Sequence, residues 1–331
     1  MLSASLLVGL FACAVEAAEN QRGAVATVHP LATQAAMRAF EQGGNAVDAA
    51  VAAGLTLGVV DGFNSGIGGG CFILIRRANG EVIALDGRET APAAATRDLF
   101  IRDGQAVPEL SQTGALAVGV PGELAAFAEV VSRFGKLKLA DLLLPAAEVA
   151  QQGFALDAAY VERLRSVADE LAKFPDSRAI FLQADGRPWP AGHELKQPDL
   201  AQTYRSIAAG GIDWFYRGAF AKATDAWMKA HDGLLTVEDF ARYEVKEREP
   251  VRSTYRGYEI VGFPPPSSGG VHVAQILNLL EPFDLKAMGA NSADFIHIVA
   301  EAMKLAFADR AWWLGDPDFA PVPRGLFSKA Y

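Results

Sequence analysis

The stretch NSGIGGGCFILIRRANGEVIALDGRETAP, Asn64 to Pro92, decides how the rest of the chain is read. Its glycines, Gly66, Gly68, Gly69 and Gly70, let backbone approach another group closely or take positive φ. The apolar run Cys71 to Ile75 is too short for a typical helix and is rich in β-branched and aromatic residues, the composition of a strand. Asn79-Gly80 predicts a hairpin turn. The return run, Val82 to Leu85, delivers the chain to Asp86-Gly87-Arg88-Glu89. Loops held by a rigid sheet are where binding groups concentrate, so a site is expected at one turn-rich end of this hairpin.

Arg88 is the candidate residue. It follows directly on an apolar strand, and its guanidinium can hold a carboxylate through two parallel hydrogen bonds that lysine cannot imitate. The competing role is a structural ion pair with Asp86 or Glu89. The glycine run matches neither phosphate-binding fingerprint. Cys71 stands where the third glycine of a dinucleotide loop would be, and no Gly-Lys-Ser/Thr follows for a P-loop. The five histidines, His29, His193, His231, His272 and His297, are scattered without ligand spacing, so neither a metal nor a cofactor is expected. Cys71 reads as a small core residue. Glu301 and Asp309 share a helix but no tight face, which suits solvated or ion-paired roles. The segment Pro264-Pro265-Pro266-Ser267-Ser268-Gly269-Gly270 reads as a rigid connector.

The chain has 331 residues, 51% hydrophobic and 21% charged, the composition of a folded globular protein. No stretch reads as a linker, so one continuous unit is expected. A net charge of −9 argues against a nucleic-acid partner. Leu2 to Val15 is mostly apolar and is followed by Ala17 and Ala18, then by polar Glu19-Asn20-Gln21. Residues 1–18 therefore read as a secretory signal, which makes the protein periplasmic or secreted. No Lys or Arg precedes the apolar run. The alternative is a lipoprotein site at Leu10-Phe11-Ala12-Cys13 with Cys13 lipidated. No other run approaches the length of a membrane span.

Ala24 to Val28 is expected to form a strand. Helices are expected over Leu31 to Gln42 and, capped by Asn45 and Asp48, over Ala46 to Val59. Others follow at Pro121 to Phe134, Leu139 to Gln152, Leu156 to Lys173, Asp199 to Ala209 and Phe220 to His231, with Thr236 capping a short one. A second hairpin, Val251 to Tyr255 with Tyr258 to Phe263, leads to a helix at Val271 to Glu281 and a last one capped by Ser292. Helix pairs and two hairpins without βαβ alternation predict an α+β fold.

Taken together, the residues resemble the γ-glutamyltransferase (glutathione hydrolase) family over almost everything after the signal. The landmarks are GGNAVDAAVAAG (Gly43 to Gly54), GIGGG (Gly66 to Gly70), GRETAPAAAT (Gly87 to Thr96), PGELAAF (Pro121 to Phe127), YRGYEIVGFPPPSSGG (Tyr255 to Gly270), ADR (Ala308 to Arg310) and GDPDF (Gly315 to Phe319). The resemblance implies an N-terminal-nucleophile hydrolase with an αββα sandwich, made as a proenzyme that cuts itself into two subunits. It implies a small-subunit threonine that attacks γ-glutamyl amides such as glutathione, its α-amine acting as base. Arg88 matches the arginine that binds the α-carboxylate of the glutamyl substrate. Residues 19–331 are then expected to be the large-subunit region, truncated before the catalytic small subunit, so no catalytic residue is assigned and the chain alone is expected to be inactive. The alternatives are a cephalosporin or glutaryl acylase relative, or a non-catalytic binding remnant.

Overall fold

Small side chains set how the first two helices pack. In a computed structural model, which describes residues 23–331, α1 (Pro30–Glu41) and α2 (Ala46–Val60) lie against each other through alanines. Ala32, Ala36, Ala49 and Ala52 are buried, and Leu55 and Val59 fill the remainder. The capping box expected at Asn45 is present: its side chain accepts the Val47 and Asp48 amides, and Asp48 accepts the Asn45 amide. Asp48 is fully buried yet satisfied, because it also accepts the Lys136 and Leu137 amides and sits at the positive end of α2.

From α2 the chain enters the glycine loop and the hairpin. Strands β1 (Cys71–Arg76) and β2 (Val82–Gly87) pair antiparallel, with Cys71 opposite Gly87 and Arg76 opposite Val82. The Asn79-Gly80 turn closes on the Gly80 amide donating to the Arg77 carbonyl and the Arg77 amide to the Glu81 carbonyl. A short strand, β3 (Lys246–Arg248), adds to the other edge of β2 in the order β1-β2-β3. The central strand is accordingly buried from Ile83 to Gly87. β1 differs: Ile73 and Ile75 pack toward the helices, whereas Phe72 (38% exposed) and Leu74 (42%) face outward.

Helices α3 (Glu123–Phe134) and α4 (Leu139–Gln152) pack on α2, α3 also meets the sheet and α6 (Pro198–Gly210) packs on α4; with α5 (Ala158–Ala172) and α7 (Ala219–Ala230) they share one hydrophobic cluster. Further along, β4 (Val251–Tyr255) and β5 (Tyr258–Gly262) form the second expected hairpin. The Pro264 to Gly270 segment connects it to α8 (Gly269–Leu280), which packs on α9 (Ala293–Trp313). These elements have their own small core around Val251, Val271, Ala274 and Leu326. Only Ala302 and Ala306 of α9 are buried, while Ile296, Leu305, Phe307 and Trp312 are exposed. Among the described residues no helix is long and apolar enough to cross a membrane.

The mixed α+β class is as expected, with corrections in detail. Ala24 to Val28 has no regular secondary structure; Val25 packs on the core, but the segment pairs with no described strand, so it forms no ladder. The helix expected from Leu156 starts at Ala158, because Asp157 caps it and Phe154–Ala155 pairs with Glu194–Leu195. The one expected from Asp199 starts at Pro198, where a missing amide proton is no loss in the first turn. The expected signal, residues 1–18, lies outside the described residues.

The two ends of the quoted stretch meet. A Cβ on Gly70 would lie 2.6 Å from the Gly87 carbonyl oxygen and 2.8 Å from both Arg88 Cα and the Glu89 nitrogen. The glycine is there because backbone touches backbone. Gly70→Ala is expected to destabilise the protein by about 1–3 kcal/mol, the usual cost of overpacking. Urea unfolding of the variant against the parent checks this.

Candidate functional site

Arg88 begins where β2 ends, and its main chain is held from three directions. Its amide donates to Asp86 Oδ1 at 3.0 Å, and its carbonyl accepts the Tyr243 hydroxyl at 2.8 Å. Gly70 closes the third side. Another glycine admits the tyrosine, since a Cβ on Gly122 would lie 2.0 Å from the Tyr243 hydroxyl oxygen and 2.3 Å from the Gly87 carbonyl oxygen. The side chain, by contrast, is exposed and makes no ion pair among the described residues. The expected competitor, an Arg88 ion pair with Asp86, is absent for a physical reason. Asp86 is buried, and its second oxygen accepts Arg248 Nε at 2.7 Å. Glu89 is likewise not paired with Arg88; it lines a cavity of about 400 Å³ with the glycine loop, Asn64, Ser65, Leu200 and Tyr204. Arg88 stands at the neighbouring position but does not line that cavity.

Behind the glycine loop lies the carboxyl of Glu123, the first residue of α3. The amides of Gly122 and Glu123 both donate to the Gly69 carbonyl, at 2.8 and 3.1 Å, which ties α3 to the loop. The Glu123 side chain is buried, and its Oε1 has no hydrogen-bond partner. Burial pushes its pKa up to about 7; the Gly66 amide opposes this, and the charge of Glu89 adds to it. Burial also pushes up the Cys71 thiol, so its thiolate is disfavoured and the small-core reading holds. Among the described residues no three His, Cys, Asp or Glu side chains gather as a metal site.

An arginine at the end of the central strand, its main chain locked by glycine contacts, presents an exposed guanidinium without an ion pair among the described residues. The sequence profile of the gamma-glutamyltranspeptidase family matches residues 32–331. The chain is 44% identical to a glutathione hydrolase proenzyme of Escherichia coli, over 94% of this chain and 54% of that one. It is 41% identical to an acylase ACY 1 proenzyme of a Pseudomonas species, over 97% of this chain and 59% of that one. The solved structure of Helicobacter pylori gamma-glutamyltranspeptidase superposes with a TM-score of 0.90 at 43% identity, covering 93% of this chain and 89% of that chain. The chain belongs to the gamma-glutamyltranspeptidase family. It spans just over half the length of the curated relatives named here.

Glu123 yields a pH test. Its ordinary value of 4.5 rises to about 7 on folding, so between these values the native state keeps a proton that the unfolded chain has lost. Stability therefore falls as pH climbs from about 4.5 to 7 and is level above that. Glu123→Gln should remove this slope. It is expected to stabilise the protein by on the order of 3 kcal/mol at pH 8 and hardly at all at pH 4. Denaturant unfolding at the two pH values measures the difference.

Proposed function

We propose that this chain is the large-subunit region of an enzyme that cleaves γ-glutamyl amides, and that Arg88 binds the α-carboxylate of the γ-glutamyl group. The observation that carries the reading is a difference in coverage. The chain accounts for 89% of the solved Helicobacter pylori chain but only 54% of the Escherichia coli proenzyme. A proenzyme divided into two chains, one about the size of this one, explains both figures.

The nucleophile then belongs to the second subunit, as an N-terminal threonine freed by self-cleavage, and no residue described here is catalytic. Its hydroxyl adds to the γ-carbonyl carbon while its α-amine takes the proton. The amine portion of the substrate leaves with a proton, and the γ-glutamyl ester passes to water or to an amino-acid or peptide amine. Arg88 contributes by holding the α-carboxylate, which fixes the distance to the reacting carbonyl. Glutathione-type compounds are the substrate class.

The outward apolar face of β1 supports the four-layer αββα arrangement, with a second sheet from the small subunit covering Phe72 and Leu74. The exposed apolar residues of α9 are read as further surface for the second subunit to cover. Residues 1–18 are read as a secretory signal, which makes the enzyme periplasmic or secreted, with lipidation of Cys13 as the alternative.

A second reading rests on the 41% identity to the acylase proenzyme. A glutaryl amide keeps the distal carboxylate of a γ-glutamyl amide but lacks its α-amine, so the two readings differ in whether the amine is required. Three anilides separate them in the full-length, processed enzyme: γ-glutamyl, glutaryl and 4-aminobutyryl, the last lacking the carboxylate. Arg88→Ala is expected to weaken use of the γ-glutamyl anilide by about one to two orders of magnitude, the loss of a charge-assisted hydrogen bond. Arg88→Lys should recover only part of this. The 4-aminobutyryl anilide should be unaffected, and equal losses on it would contradict carboxylate binding. Turnover of the glutaryl anilide at the γ-glutamyl rate would favour the acylase reading.

A further inference from the structure

Arg88 is held by a chain of charges that reaches across the fold to the GDPDF segment. Asp86 accepts the Arg88 amide on Oδ1 and Arg248 Nε on Oδ2, at 3.0 and 2.7 Å. The other end of the same guanidinium donates to Asp318, Nη1 to Oδ1 at 3.3 Å and Nη2 to Oδ2 at 3.1 Å. Lys246 donates to Asp318 as well, and Asp316 lies 3.7 Å from Arg248 Nη2. The Arg248 side chain is 11% exposed and that of Asp86 6%, so these charges have little water to fall back on. Lys246 and Arg248 both belong to β3, the strand opposite Asp86 and Ala84 in the sheet.

We propose that Asp318 and Arg248 are positioning residues for substrate binding, because they fix the Asp86 carboxylate that fixes the Arg88 main chain. The proposal rests on the reading of Arg88 as the carboxylate-binding residue and adds what that reading leaves open, namely how an exposed arginine keeps its place. Asp318 orients the Arg248 guanidinium by accepting from both terminal nitrogens. Arg248 in turn presents Nε to Asp86, whose other oxygen remains aimed at the Arg88 amide. Only a planar fork with donors on both edges can bridge the two carboxylates in this way, so lysine at 248 could satisfy one but not both. If Arg248 turns, Asp86 becomes a buried carboxylate without its cation and must seek another donor. The guanidinium of Arg88, two residues away, is one cation that can take Arg248's place; Lys246, directly opposite Asp86 in the sheet, is the other. Loss of Asp318 or Arg248 would thus favour an Arg88–Asp86 ion pair and withdraw Arg88 from substrate.

The test uses the full-length, processed enzyme carrying Asp318→Asn, Asp318→Glu or Arg248→Lys, assayed on the γ-glutamyl and 4-aminobutyryl anilides. Asp318→Asn and Arg248→Lys are each expected to raise KM for the γ-glutamyl anilide roughly two- to thirtyfold, the span of indirect couplings, with kcat little changed. KM for the 4-aminobutyryl anilide should stay the same. Asp318→Glu should recover part of the loss. In an Arg88→Lys background, Asp318→Asn should add almost nothing, since the residue being positioned has already lost its fork. Equal effects on both anilides, or full additivity with Arg88→Lys, would make the network merely structural and overturn the proposal. If Arg88→Lys itself fails to distinguish the two anilides, the carboxylate-binding reading falls and the proposal with it. If Arg88→Lys distinguishes them and the Asp318 and Arg248 variants do not, only the positioning role falls.

Discussion

Asp86 is a buried carboxylate whose two oxygens are both taken, one by the Arg88 amide and one by the Arg248 guanidinium. A buried anion without partners costs several kcal/mol, so this pairing constrains everything that touches it. It seats β3 against β2, although the two lie far apart in sequence, and it links the sheet to the GDPDF segment through Asp318. It also decides what Arg88 can do. Had Asp86 been without Arg248, Arg88 and the cross-strand Lys246 would have been its candidate counter-ions. With Asp86 occupied, the guanidinium of Arg88 remains exposed at the end of the central strand while its main chain is immobilised.

The glycines serve the same end. Gly70 and Gly122 sit where a side chain would strike the backbone of residues 87–89 or the Tyr243 hydroxyl. The glycine loop is therefore packed against the Arg88 segment as closely as backbone allows, and α3 is bound to the loop through the Gly69 carbonyl. Glu123 is buried at this junction with one oxygen unsatisfied, a local cost in the layer that supports the site. Such costs are tolerated where the surrounding packing is strong enough to hold them.

Much of this was legible from residues close in sequence. The first hairpin, its Asn79-Gly80 turn, the Asn45 and Thr236 caps and the long helices all depend on local periodicity and capping chemistry. Arg88 stood out because a charge followed an apolar strand directly. What was not legible depends on partners distant along the chain. Asp86 and Arg248 are 162 residues apart, and nothing in Lys-Glu-Arg at 246–248 marks it as the third strand of a sheet. A short charged edge strand reads as surface, because the charges that guard an edge are also those of a loop. Glu123 looked like an ordinary first-turn acid, favourable to the helix dipole, and only packing against the glycine loop reveals its burial. Ala24 to Val28 had strand composition, but a strand needs a neighbour, and composition does not supply one.

The central claim is that a fixed main chain presents the Arg88 fork to a substrate carboxylate. A crystal structure of the full-length, processed protein with glutamate bound tests it most directly. Arg88 is expected to donate two parallel hydrogen bonds of about 2.7–2.9 Å to the α-carboxylate, with its amide still on Asp86 and Arg248 still between Asp86 and Asp318. A glutamate carboxylate bound elsewhere, with Arg88 turned to solvent or onto Asp86, would contradict the claim.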